Sequence, residues 1–280
     1  MTSTGESTPD TPPQVIDISH PHTARMYDNY LGGKDHFEVD RKAAQAVATV
    51  FPGIYVCARE LRRFMHRATR VLARDYGIRQ WLDLGAGIPT EPNLHQVAQS
   101  VAPEARVAYA DNDPLVLKYA ERLMISTPEG RTTYVHADLR EPEALLASPV
   151  LNATLDLSKP VAVSLNSVLH FVPDEQDAYG IVARYMAALP SGSALALSHA
   201  TPEFAPGTWA RIVEIYAEGG TPGQVRTREE GERFFEGLDL LEPGIVMAHE
   251  WRPEPGERPE DEPEPTDVEV SSWGAVAIKP

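Results

Sequence analysis

The stretch Trp81-Leu82-Asp83-Leu84-Gly85-Ala86-Gly87 decides the fold of this chain. Its first half reads as a buried strand, and a Gly-x-Gly turn follows at once. Neither glycine has a Cβ, so the backbone can turn sharply and come close to a ligand. A dinucleotide-binding turn would place a third glycine at position 90, for close helix–strand packing beside a pyrophosphate. That position is Thr90, preceded by Pro89. Taken alone, Gly-x-Gly is a weak signal, and a purely structural turn competes with a binding site.

Working outward, strand and helix patterns alternate, which predicts a mostly parallel sheet with helices on both faces. Further strands are read at Val107–Ala110, Thr133–Val135, Val161–Leu165 and Ala194–Leu197. The intervening helices carry apolar stripes such as Leu94, Val97, Ala98 and Val101, or Val182, Tyr185, Met186 and Leu189. Right-handed crossovers would align the strand ends along one edge, where α/β sheets bind ligands. Thr227 to Glu230 fits a capping box, opening a short helix with Phe234 and Phe235. Ile245–Ala248 and Ala275–Ile278 then predict an antiparallel finish to a seven-stranded sheet. Between them, Arg252 to Asp267 is Pro-rich and acidic, which predicts a mobile loop.

Upstream, the spacing of Leu61, Phe64, Met65, Ala68 and Leu72 predicts a helix over Ala58–Tyr76. Arg59, Arg62, Arg63, Arg67 and Arg70 share that helix and read as a solvated face. The expected organisation is a disordered tail over 1–17 and an N-terminal helical cover over 18–76. A Rossmann-like domain over 77–280 follows, with the acidic loop at 252–267.

The strand ends carry the chemistry. Asp111 closes the second strand, where a carboxylate can accept from both hydroxyls of a ribose. Asp113 precedes Pro114 and reads as the cap of the next helix. Asp138 follows the third strand and could accept from an adenine amino group, with Leu139 against the ring. Together with Asp83, Gly85, Ala86, Gly87, Asn112 and Asn166 at the other strand ends, these residues describe a nucleoside site. The chain has no Gly-x-x-x-x-Gly-Lys-Ser/Thr loop. Without phosphate machinery, a sulfonium nucleoside fits best.

One further motif stands at Ala24-Arg25-Met26-Tyr27-Asp28-Asn29-Tyr30-Leu31-Gly32-Gly33-Lys34-Asp35-His36-Phe37, followed by Asp40-Arg41. It closely resembles the N-terminal signature of an actinobacterial family of S-adenosylmethionine-dependent methyltransferases, formerly catalogued as a domain of unknown function. The likeness continues through Ile78–Thr90 and Tyr109–Pro114. It resumes at Arg226–Arg228, Phe235–Gly237 and Glu242–Gly244, and closes at Gly274 and Lys279-Pro280. Leu61-Arg62 departs from the Asn-Arg usual in relatives, and the acidic loop is longer than expected. The resemblance implies a Rossmann-like class I methyltransferase with an N-terminal helical extension and S-adenosyl-L-methionine as cofactor. It supplies no acceptor. Two readings of the motif stand. Tyr27 and Tyr30, the backbone at Gly32-Gly33 and Lys34 would cover the cofactor's amino-acid end, or Gly32-Gly33 would simply stop a structural helix.

Composition narrows the rest. A length of 280 residues suits one α/β domain with additions. No apolar run approaches the roughly 20 residues of a membrane span. Residues 1–13 carry no secretory signature, and Cys57 is the single cysteine, so the cytoplasm is the expected compartment. A net charge of −16 disfavours nucleic acid, leaving a small-molecule acceptor as the expected partner. No residue set is assigned to a metal, and nothing points to an oligomeric state. Methyl transfer needs a base only if the nucleophile must lose a proton. His170, four residues beyond Asn166, is the candidate, with His36 second and a packing role as its competitor. Two other classes stay open: a regulatory protein that binds S-adenosylmethionine without catalysis, and an NAD(P)-dependent oxidoreductase, which Thr90 disfavours.

Overall fold

The structure, a computed structural model, describes residues 17–123 and 125–280, so the expected tail lies outside the described residues except for Asp17. Three helices lead: α1 (Thr23–Tyr30), α2 (Glu38–Val50) and α3 (Ile54–Asp75). The alternating region comprises β1 (Gln80–Leu84), α4 (Leu94–Val101), β2 (Arg106–Asp111), α5 (Pro114–Leu123), β3 (Arg131–His136), α6 (Pro142–Leu146) and α7 (Pro149–Asn152). It continues with β4 (Ala162–Asn166), α8 (Ala178–Ala187), β5 (Ala194–Ala200) and α9 (Pro206–Glu218). The finish is α10 (Arg228–Gly231), β6 (Asp239–Leu240), β7 (Val246–Met247), α11 (Asp267–Val270) and β8 (Ser272–Ile278). No helix among the described residues is long and apolar enough to cross a membrane.

The sheet order is β3-β2-β1-β4-β5-β8-β6, with β7 also paired to β8. The first five strands are parallel, and β8 runs antiparallel between β5 and β6. The expected seven strands are therefore eight, because the last sheet position is split. Leu241 still donates to the Val276 carbonyl at 2.9 Å, but Pro243, which follows, has no N–H to give to β8. Pairing resumes only at Val246↔Gly274, so the strand expected over Ile245–Ala248 shrinks to two residues.

Side-chain alternation sorts the strands into two cores. Trp81, Val107, Tyr109, Ala162, Ala194 and Val276 pack on one face with α3, α4 and α9. Leu82, Leu84, Val163, Leu165, Leu195 and Leu197 pack on the other with α8. Where α3 crosses β4, β5 and β8 the first face carries Ala162, Ala194, Ala196 and Gly274, and the approach is close: a Cβ on Gly274 would lie 2.7 Å from the Phe64 ring. Asp83 interrupts the pattern. It stands between Leu82 and Leu84, opposite Ser164 of β4, and burial pushes its carboxyl up to about 6.

Two expectations fail together. The arginines of α3 are not a solvated face, and the acidic segment is not free. Arg67 is fully buried, donating to the Trp251 carbonyl at 2.7 Å, the Ala248 carbonyl at 2.6 Å and Glu257 at 2.7 Å. Arg70 pairs with Glu254 at 2.6 Å, Arg63 pairs with Glu262, and Arg258 of the loop returns to the buried Glu60 at 2.9 Å. Each feature looked solvent-directed because its partner lies some 190 residues away. The helix also starts at Ile54, four residues earlier than expected.

Two tests follow from this packing. Arg67→Ala strands a buried carboxylate and two carbonyls, so urea unfolding should register a loss of about 3–5 kcal/mol. Arg70→Ala removes a partly exposed pair and should cost less than about 1 kcal/mol; equal losses would mean the loop is not anchored through Arg67. Asp83 titrates at 3.8 in a free chain and at about 6 in the fold. The folded form thus holds a proton that the unfolded chain has released, and stability falls as pH rises through that window. Asp83→Asn should abolish this fall; parallel stability curves for the two proteins there would refute the raised carboxyl.

Candidate functional site

The carboxyl ends of the parallel strands meet the N-terminal segment around one cavity of about 380 Å³, within the range of small-molecule sites. The glycine turn forms its floor. Gly85 and Gly87 adopt φ of +70° and +65°, a region that L side chains rarely enter. The Gly85 and Ala86 amides donate to the Ala110 carbonyl at 2.8 and 3.2 Å, which bends the chain over the end of β2. A Cβ on Gly85 would lie 2.4 Å from Val168, so the segment after β4 needs this residue bare.

Asp111 holds the turn in place. Its buried carboxylate accepts from the Gly87 amide at 2.8 Å and from the Asp113 amide at 2.9 Å. Burial pushes its pKa up, against the pull of these two hydrogen bonds. Each oxygen keeps lone-pair capacity for a hydroxyl in the cavity that Asp111 lines. Asp113 caps α5 as expected, accepting from Leu115 at 2.8 Å. Its second oxygen does more, facing His22 at 3.2 Å and Arg25 at 3.5 Å. The cap is thereby also an anchor for the N-terminal segment.

Of the remaining expected residues, Ala86, Asn112, Asp138 and Leu139 also line the cavity. Arg140 donates to Asp138 from its amide and its side chain, both at 2.9 Å, and holds that carboxyl below its usual range. Tyr30 lines the cavity, and its hydroxyl meets that of Tyr216 at 3.3 Å. Asp83, Asn166, Gly32 and Lys34 do not reach the wall. Asp83 lies in the strand beneath the turn, and Asn166 donates to Ser164 at 2.7 Å. Gly32 and Lys34 belong to a turn closed by Asp28, which accepts from the Asp35 amide at 2.9 Å and pairs with His36 at 2.7 Å. A Cβ on Gly33 would sit 1.9 Å from the Asp28 carboxylate, which explains the second glycine. Lys34 is exposed, and His36 is engaged by Asp28 and Asn29.

His170 does line the cavity, in a short 3₁₀ turn over Leu169–Phe171. Its ring packs on Phe171 at 4.3 Å and edge-on to His199 at 5.6 Å, and its Nδ1 is buried without a partner. Burial, followed by the charge of Arg226, pushes its pKa down to about 3, so the ring is neutral. Arg226 is itself fully buried and gathers this turn by donating to Leu169 and Val172 carbonyls, His199 and Asp174.

Sequence reasoning missed the far wall. Trp209, Ile212, Val213 and Tyr216 of α9 line the cavity at i, i+3, i+4 and i+7. Ile54, Cys57, Ala58 and Leu61 of α3 face the same space at the same spacing, so Leu61 is an apolar wall residue. The periodicity was present in the sequence, but a stripe facing a cavity and a stripe facing a core look alike.

The residues fit a sulfonium nucleoside. A carboxylate acceptor, Asp111, stands at the end of β2, and Ala110, Ala137 and Leu139 offer an apolar slot beside it. No helix begins until Leu94, so no helix N-terminus follows the glycine turn directly to receive a pyrophosphate. The S-adenosyl methyltransferase family matches residues 9–280. A DUF574 family protein from Streptomyces avermitilis is 49% identical, with 95% of this chain and 100% of that chain covered and a TM-score of 0.89. A protein from Thermobifida fusca assigned as a methyltransferase is 38% identical over 94% of this chain and 96% of its own, at a TM-score of 0.83. An O-methyltransferase family protein from Burkholderia thailandensis, 14% identical, covers 89% of this chain and 62% of its own at a TM-score of 0.53, and shares the fold alone. No curated protein matches. The chain belongs to the S-adenosyl methyltransferase family, a Rossmann-like class I fold, and is an S-adenosylmethionine-dependent methyltransferase.

Proposed function

We propose that the protein methylates a small-molecule acceptor held beneath the N-terminal helices, with the nucleoside of S-adenosylmethionine at the strand ends. The observation that carries this reading is the continuity of one cavity, from the Gly85–Gly87 turn and Asp111 to the wall formed by α1, α3 and α9. S-adenosylmethionine supplies an electrophilic methyl group when bound. In this reading Asp111 would accept from the ribose hydroxyls, Asp138 and Leu139 would flank the adenine, and the Gly85–Gly87 backbone would admit the amino-acid end. Residues 22–30 form the cover and exclude water from the methyl group. Methyl transfer to an acceptor heteroatom would leave S-adenosylhomocysteine, and this chain's part is to hold that heteroatom against the wall of α1, α3 and α9. Any proton on that heteroatom leaves to solvent, because His170 is neutral and its pKa of about 3 makes it a weak base near pH 7. His170 faces the acceptor as a neutral positioning group. A cavity of about 380 Å³ in a chain of net charge −16 also speaks against nucleic acid as acceptor.

Calorimetry should therefore detect S-adenosylmethionine and S-adenosylhomocysteine but not NADH, and comparable binding of NADH would sink the cofactor assignment. A hydrogen bond to a charged group contributes roughly 1.5–3 kcal/mol, so Asp111→Ala, counted as the loss of one such bond, should weaken S-adenosylhomocysteine by at least about 10- to 150-fold. His170→Ala should lower kcat while leaving that affinity within about twofold; an unchanged kcat would assign His170 to packing alone.

A further inference from the structure

The half of the cavity away from the strand ends has a uniform chemistry. Three helical stripes enclose it: Tyr27 and Tyr30 of α1, the Ile54–Leu61 stripe of α3, and the Trp209–Tyr216 stripe of α9. Phe171 closes the side, its ring tilted 59° against that of Tyr216 at 5.1 Å. Every charged residue on the cavity wall lies at the nucleoside end, namely Asp111, Asp138 and Arg140, with His22 beside them. The far half has none. Its polar groups are neutral: a pair of tyrosine hydroxyls 3.3 Å apart, one on α1 and one on α9, with His170, Trp209, Thr221 and Ser272 elsewhere on the wall. Burial raises the pKa of both tyrosines, so they remain neutral donors and acceptors. The Cys57 thiol in the same wall is raised to about 12 and sits 3.4 Å from Ser272.

From this arrangement we infer that the acceptor is a neutral, ring-containing molecule whose polar group is oriented by the Tyr30–Tyr216 hydroxyl pair. The inference rests on the methyl-transfer reading for its purpose, but not for its chemistry. Flat apolar ligands match a chamber walled by rings and branched aliphatics. An acceptor with a fixed carboxylate or ammonium would lose its hydration there and find no counter-ion, at a cost of several kcal/mol. The hydroxyl pair can instead give and receive a hydrogen bond without any change of charge.

Three probes of one shape separate the alternatives: 2-naphthol, 2-naphthoate and 2-naphthylmethylammonium, titrated by calorimetry at pH 7 with and without saturating S-adenosylhomocysteine. The neutral naphthol should bind at least about 10-fold more tightly than either charged probe. Tyr216→Phe should weaken it about 2- to 12-fold, the span of one neutral hydrogen bond. Val213→Trp should exclude it by filling the chamber while S-adenosylhomocysteine still binds, which also certifies the fold of the variant. Tighter binding of either charged probe, or binding of naphthol that Val213→Trp leaves unchanged, would overturn the inference. So would the absence of naphthol binding in both states. Loss of S-adenosylhomocysteine binding alone, with naphthol still selected, would overturn the methyl-transfer reading and support the neutral chamber.

Discussion

The site depends on one buried carboxylate. Asp111 accepts from the amides of Gly87 and Asp113, and so ties the turn after β1 to the end of β2. Strand pairing alone brings Leu84 beside Ala110 but does not dictate where the chain goes next. The carboxylate decides that. It draws the Gly87 amide inward, and the positive φ of both glycines lets the backbone comply without strain. The same residue that organises the floor of the cavity also lines it.

A second linkage joins this floor to the N-terminal segment. Arg25, buried on α1, faces both Asp113 at the end of β2 and Asp40 at the start of α2, each at 3.5 Å. Asp40 in turn accepts from the amides of His22 and Phe37 at 2.9 and 2.8 Å. The N-terminal motif is largely a set of fasteners. Asp28, Gly33 and His36 close a turn, while Arg25 and Asp40 dock it, leaving Ala24, Tyr27 and Tyr30 as its contribution to the cavity wall. A motif rich in charged and glycine residues can thus serve geometry more than ligand contact.

Buried arginines set the outer frame in the same manner. Arg67 satisfies two carbonyls and Glu257 from the middle of α3, and Arg226 satisfies two carbonyls, His199 and Asp174 behind the β4 turn. A guanidinium has several donors in a fixed fork, so one side chain can hold backbone from separate segments at once. Arg67 secures the helix that carries the Ile54–Leu61 wall, and Arg226 secures the turn that carries His170. Their charge also acts at a distance, since Arg226 helps to keep His170 neutral.

The sequence by itself determined that β1 to β5 are successive strands of a mostly parallel sheet, the bare turn at Gly85 and Gly87, and the placement of Asp111 and Asp138 at strand ends. These are local signals: period-two apolar runs, glycines after a strand, and acidic residues at its close. Even the cap at Asp113 was legible, because capping spans only a few residues. The roles of Lys34, Gly32, Asn166 and Asp83 were not, since whether a side chain reaches a cavity depends on how elements stack. Nor was the split of the last strand, the pairing of the α3 arginines with residues 254–262, or the α9 wall. Each of these joins segments far apart in the chain, and a charge or an apolar stripe carries no mark of the surface it will meet. Only the tertiary structure decides that, because burial, which selects the partner of a charge and the face of a helix, is a property of the packed molecule.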